Sequence, residues 1–272
     1  MIKQYLNEAL RGKSQTTIKT YGHAILQFEQ WLIGAGTDLN NYARSDVQQY
    51  IDYLTAKKKS AATINKLWNS IKSFSKWSNK YDAIEDISVI KMMDIKKQAP
   101  KAMDKLERNK LIRNIDRAEN KRDFAIIMTL LNTGVRVSEL VSLDRVDVEI
   151  SERKGELQVL GKGNKERKLP LNAEVRRAIT KYLEERSDSH AALFLSNRQD
   201  RISVRSVQYL MEKHGHNVHQ TRHSFITDLV RSGEDLSTIQ SLSGHTSADM
   251  VLRYSMPSEK ERQRAVDNLY KN

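Results

Sequence analysis

Apolar residues along the first hundred positions recur every three or four residues and show no alternating run, so residues 1–97 predict helices and no strand. Ser14 is placed to cap a helix whose inward face is Ile18, Tyr21, Ile25, Phe28 and Leu32, closed by Gly34 and Gly36. Ser45 is placed to cap a second, with Val47, Tyr50, Ile51 and Leu54 inward. Ser60 is placed to cap a third, with Ile64, Leu67, Trp68, Ile71, Phe74 and Trp77 on its face. The two tryptophans read as core. The stretch Asp94 to Met103 has no apolar periodicity, is cationic and holds one of three prolines in the chain. Residues 98–103 therefore predict a basic linker between an all-α domain (1–97) and a second domain (104–272).

The pattern changes in the second domain. A helix with Leu106, Leu111, Ile112 and Ile115 precedes a strongly apolar one, Phe124 to Leu131, broken at Asn132 and Gly134. Arg136 follows on a tight turn before a helix that carries Ser138, Glu139, Leu140 and Leu143, and a salt bridge to Glu139 is its plainest structural role. Residues 146–150, 157–160 and 168–171 alternate as three short strands, and the turn between the last two presents Lys162 with Lys165 close by. Helices are predicted over 173–186 and 203–213, with an apolar piece at 193–195 between them. A further helix carries Phe225, Ile226, Leu229 and Val230 and ends at Gly233. A short one then ends at Gly244, and Ser247 begins a segment that carries Tyr254 and stops at Pro257. The fold class is mainly α, with a helical bundle followed by an α+β domain that holds a small three-stranded sheet.

Charge narrows the function classes. The 272 residues carry +12, with 15 basic and 9 acidic residues before Gln98 and 31 and 25 after it, so both parts are positive and suit a clamp around a polyanion. No apolar run approaches the roughly 20 residues of a membrane span. There is no cysteine, which excludes disulfides, thiolate zinc sites and cysteine nucleophiles, and a cytoplasmic location is expected. No carboxylate spacing points to a metal cluster, and no glycine-rich phosphate loop of the P-loop kind is present, so neither a metal nor a cofactor is expected.

Candidate chemistry concentrates between His219 and Tyr254. His219 and Arg222 lie three apart at the start of a helix, where an anion would sit. His245 follows the glycine that ends the next helix, and Tyr254 lies nine residues beyond it. His214, His216 and His223 flank these residues and read as structural groups or phosphate contacts.

These motifs resemble the tyrosine recombinases, also called the phage integrase family, and within it the Xer proteins. His219-Gln-Thr-Arg222 matches the family's HxxR, Ser243-Gly244-His245 its LGH, and Tyr254 its nucleophile. TGVRVSEL matches the first arginine box at Arg136, and GKGNKERKLPL matches the hairpin lysine at Lys162. Thr221 and Ser243 each stand where the family usually has leucine, and both read as packing positions. The resemblance implies a helical, SAM-like core-binding domain and a catalytic domain of the integrase fold. It implies a site-specific recombinase that joins Tyr254 to a 3′ phosphate, frees a 5′ hydroxyl and passes through a Holliday junction, using Arg136, Lys162, His219, Arg222, His245 and Tyr254.

Double-stranded DNA sites are the expected partner, bound by a homotetramer on two sites, with a monomer allowed in free solution. Expected DNA contacts are Lys13, Thr16, Lys19, Lys57, Lys58, Lys59, Asn65, Lys66, Asn69, Lys72, Lys97, Arg201 and Arg205, although for any one of them a solvated helix face is the plainer role. The alternatives are a type IB topoisomerase-like enzyme, disfavoured by the short chain, and a DNA-binding regulator without catalysis, disfavoured because no motif residue is missing. Beyond Pro257, Ser258 and Glu261 are spaced to cap a terminal helix with Ala265, Val266 and Leu269 on one face. In the resembled family this tail docks on the neighbouring protomer, and docking onto its own domain is the alternative.

Overall fold

The computed structural model describes residues 1–91, 100–161, 165–245, 247–257 and 259–269. Lys97, Lys162 and Ser258, and residues 98 and 99 of the expected linker, lie outside the described residues. The chain divides into two compact units, Met1–Ile95 and Lys96–Asn272.

The first unit is a helical bundle of α1 (Ile2–Glu8), α2 (Gln15–Gly34), α3 (Arg44–Ala56) and α4 (Ala61–Trp77). Ser14 and Ser60 cap α2 and α4 as expected, each hydroxyl accepting the backbone N–H three residues on, from Thr17 and Thr63. The expected cap at Ser45 is corrected. Asp46 accepts the backbone N–H of Ala43 at 2.7 Å, which fixes the cap at Ala43, two residues before Ser45, and the start of α3 at Arg44. α1 has too few apolar residues to stand out in the pattern. It is held by Tyr5, fully buried against Phe74 with ring centroids 5.2 Å apart, and by Trp77 Nε1 donating to Glu8 at 2.9 Å. Phe28, Leu32, Ile64, Ile71 and Phe74 complete the core, each worth roughly 1.5–3 kcal/mol when fully buried.

The expected DNA contacts of this unit are for the most part exposed: Lys13, Thr16 and Lys19 near the start of α2, Lys57 to Lys59 just past α3, and Lys66 and Asn69 on α4. Two are engaged within the unit. Asn65 donates to the carbonyls of Ala61 and Ile90, and the Lys72 ammonium lies 5.1 Å from the Trp68 ring centroid.

The second unit contains α5 (Lys105–Asp116), α6 (Lys121–Thr133), α7 (Val137–Ser142), the antiparallel strands β1 (Val148–Ile150), β2 (Gly155–Leu160) and β3 (Glu166–Pro170), then α8 (Ala173–Glu184), α9 (Val204–Lys213), α10 (Val218–Arg231), α11 (Leu236–Ser243), α12 (Ala248–Leu252) and α13 (Glu259–Asp267). The sheet order is β1-β2-β3, with Leu157 opposite both Val148 and Leu169. The first strand is shorter than the alternation suggests, because residues 145–147 form a 3-10 turn that leaves Val146 exposed. α6 is the spine of this unit: seven of its residues from Ala125 to Leu131 are buried, and it packs on α8, α10 and α5. Its left-handed cap, Gly134 at φ +61°, turns the chain directly into Arg136.

Candidate active site

Four elements of the second unit deliver the site. Arg136 is the N-cap of α7, Arg222 lies in the second turn of α10, His245 follows the Gly244 cap of α11, and Tyr254 sits in the 3-10 turn 253–255 after α12. Gly244 is left-handed at φ +63°, which reverses the chain so that its carbonyl and that of Ser243 face the arginines.

Arg222 is buried, and its fork donates to the Gly134 carbonyl at 2.6 Å and to the Ser243 carbonyl, while Nη2 lies 3.4 Å from His245 Nε2. Burial, and then the neighbouring Arg136 guanidinium, lower its pKa to about 10, which leaves it charged at neutral pH. Arg136 keeps 37% of its side chain exposed. Its Nη1 donates to Glu139 Oε1 at 2.9 Å and its Nη2 to the Gly244 carbonyl at 3.3 Å. The salt bridge to Glu139 thus exists, and it orients the arginine next to the other site residues.

Glu139 and Arg167 complete this arrangement, and neither is singled out by the sequence as a site residue. Glu139 is 5% exposed and accepts two bonds from Arg167, at 3.0 and 2.7 Å, besides those from Arg136. Burial opposes its ionisation, but the bonds from Arg167 and from the Arg136 backbone outweigh this and hold its pKa below the usual carboxylate value. The Arg167 guanidinium lies against Gly244, where an added Cβ would come within 3.2 Å of it. The signal for Arg167 was the strand period itself. Leu169 points into the core, and Arg167, two residues before it, lies on the same face of β3 and is half-buried.

Tyr254 is buried, its phenol oxygen 2.9 Å from His223 Nδ1 and its ring centroid 6.0 Å from that of His245. Burial raises its pKa despite the opposing fields of Arg222, Arg253 and Arg136, so the resting group is a phenol rather than a phenolate. His223 is the residue that touches it, whereas His219, one turn earlier on α10, is exposed and contributes its field to His223. Burial first, then neighbouring cations, lower both His223 and His245 to about 4, so both are neutral imidazoles at pH 7. Ser243 does more than pack: its hydroxyl is 3.0 Å from His245 Nδ1, a contact that a leucine could not make. Thr221 is buried and bonds back to the Val218 carbonyl at 2.7 Å.

The structure therefore brings Arg136, Arg222, His245 and Tyr254 together, with His219 at the margin and Lys162 outside the described residues. Arg201 and Arg205 lie elsewhere in this unit. Arg201 donates to the carbonyls of Val141 and Leu143 and pairs with Asp144, and Arg205 pairs with Glu212 at 2.7 Å. Any DNA contact by Arg201 would compete with these bonds. Among the described residues no group of three potential ligands could hold a metal ion, and no helix is long and apolar enough to cross a membrane.

The family model described as Phage integrase family matches residues 101–261, and the one described as Phage integrase, N-terminal SAM-like domain matches residues 2–80. The tyrosine recombinase XerC of Staphylococcus aureus (strain USA300 / TCH1516) is 29% identical over 276 residues, covering 96% of this chain and 92% of that protein. Among solved structures, the XerH site-specific recombinase bound to palindromic difH substrate in a post-cleavage complex superposes with a TM-score of 0.75 at 19% identity, covering 100% of this chain and 85% of that one. The XerH pre-cleavage complex gives 0.73 at 20% identity, covering 98% and 84%.

Proposed function

The chain belongs to the phage integrase family, and we propose that Tyr254 is the nucleophile with which this tyrosine site-specific recombinase cleaves and rejoins duplex DNA. The observation that carries this reading is the convergence of two guanidinium groups, a neutral histidine and a buried phenol from four separate elements.

A phosphodiester is an anion that repels nucleophiles, and its displacement passes through a pentacoordinate state with more charge on the oxygens. Arg136 and Arg222, held rigidly by Glu139 and by backbone carbonyls, supply planar donors for the non-bridging oxygens. His245 adds a further donor when its Nε2 carries the proton. In that tautomer Nδ1 is the acceptor for the Ser243 hydroxyl, 3.0 Å away. In this reading Lys162 protonates the departing 5′ oxygen, and His219 accepts the phenolic proton or holds the phosphate. The covalent 3′-phosphotyrosine stores the energy of the broken bond, and a partner strand's 5′ hydroxyl releases it.

Exchange between two sites needs four active sites, so the working form is proposed to be a homotetramer on two DNA sites, as in the sequence expectation. Support comes from α13. An ion pair from Arg231 to Glu261 ties it to α10, yet Val266 and Leu269 remain 61% and 66% exposed. Those residues need a cover, and a groove lined by Ile112, Phe124, Met128, Leu131 and Phe225 on a neighbouring copy is the proposed seat.

The test begins by capturing covalent adducts from a random-duplex library and sequencing the DNA attached. Two duplexes carrying the recovered site should then yield four-way junctions. Adducts that only relax supercoils, with no junctions, would favour the topoisomerase reading, and binding with no adduct would favour the regulator.

A further inference from the structure

We propose that His223 is a catalytic residue of this recombinase, the acceptor of the Tyr254 proton during strand cleavage. Its Nδ1 lies 2.9 Å from the phenol oxygen, the separation of a formed hydrogen bond, so proton transfer along it needs no rearrangement. His219 does not make this contact. It is exposed, and its backbone N–H is engaged by the side chain of Asn217 at 2.8 Å.

The site requires such an acceptor. Tyr254 is a buried phenol, and burial raises its pKa, so the phenolate is scarce at neutral pH even beside the arginines. His223 stands as a neutral imidazole with one nitrogen free of a proton, and when Nδ1 is that nitrogen its lone pair faces the phenol. Among the described residues, the charged and titratable groups that act on it are basic or neutral: His219 and Arg222 from α10, Arg253 and Tyr254 from the 3-10 turn, and His245 beyond α11. Burial first, and then the fields of His219, Arg222 and Arg253, keep the imidazole unprotonated until an anion arrives. A bound phosphate then raises its basicity at the moment a proton must be taken up.

In the step itself the O–H bond of Tyr254 breaks and its proton goes to His223 Nδ1, while the phenol oxygen forms the bond to phosphorus. The bond from phosphorus to the 5′ oxygen breaks, and that oxygen takes a proton from the acid proposed as Lys162. In rejoining, the attacking 5′ hydroxyl gives its proton back to Lys162 and the His223 proton returns to the tyrosine, so the enzyme is restored without any co-reactant.

The inference rests on Tyr254 being the nucleophile, and the experiment separates the two claims. Single-turnover cleavage is measured from pH 6 to 9 on a nicked duplex carrying the site recovered from adducts, with full-length protein. Tyr254→Phe should form no adduct; if it does, the nucleophile assignment fails irrespective of His223. Wild type should be nearly level above pH 6.5. His223→Ala should be about 100-fold slower at pH 7, the usual scale of a lost general base, and should speed up about tenfold per pH unit as solution supplies the phenolate. His223→Gln, which can still hydrogen-bond to the phenol but cannot take its proton, should be as slow as His223→Ala, and imidazole in the buffer should partly restore His223→Ala. A His223→Gln rate near wild type, a His223→Ala loss equal at every pH, or the pH slope appearing in His219→Ala instead would overturn the assignment.

Discussion

At the scale of single residues, the site depends on a carboxylate that no motif-based list of reacting groups contained. Glu139 pairs with both Arg136 and Arg167, while burial, and then the fields of these two cations, lower the pKa of Arg222. Removing one partner of a buried ion pair costs about 3 kcal/mol or more, because the remaining charges stay desolvated and unpaired. An exposed pair costs less than about 1 kcal/mol. Glu139→Gln is therefore expected to lower the melting temperature of the protein by roughly 6–12 °C. Glu156→Gln, which breaks the Lys168 pair whose side chains are 64% and 40% exposed, should shift it by under about 3 °C. Equal shifts in a thermal melt would show that the Glu139 network is not structural. The charged candidate residues were legible because they fall in the order of the resembled family's motifs along the chain. The pairing of Tyr254 with His223 was not, since His219 and His223 lie on one helical face and only the depth of the tyrosine's turn decides which one it meets.

At the scale of elements, the two left-handed glycine caps turn helices into a site. Gly134 ends α6, offers its carbonyl to Arg222, and lies so close to α10 that a Cβ would be 2.3 Å from the Phe225 ring. Gly134→Ala should cost about 1–2 kcal/mol for the left-handed backbone and roughly 1–3 kcal/mol more for the overlap. Cleavage should fall with it. Gly215, at φ +77° with nothing within 4 Å, should show the backbone cost alone when changed to alanine. Denaturant titration of both variants checks this, and equal losses would mean that the α6–α10 contact yields freely. Helix existence was readable from period and caps throughout, as with Ser14 and Ser60. Boundaries shifted where a side chain acted out of pattern, as Asp46 did at the start of α3. α1 escaped notice because one buried tyrosine, rather than a periodic face, holds it.

At the scale of the whole molecule, the chain joins a basic helical bundle to a unit that carries all of the described candidate catalytic residues, and its terminal helix leaves apolar residues without cover. Deleting residues 259–272 should leave single-site binding nearly intact while four-way junction yield falls several-fold. Undiminished junction yield from the truncated protein alone would show that the tail is no partner contact. The central claim, that Tyr254 carries the DNA, has a more direct test. Covalent adducts formed on the recovered site are digested with nuclease and trypsin, and the modified peptide is identified by mass spectrometry. A 3′-phosphonucleotide on the peptide spanning residues 254–260 is the expected result. The same mass increment on a peptide holding Tyr209 or Tyr270, with the 254–260 peptide unmodified, would contradict it.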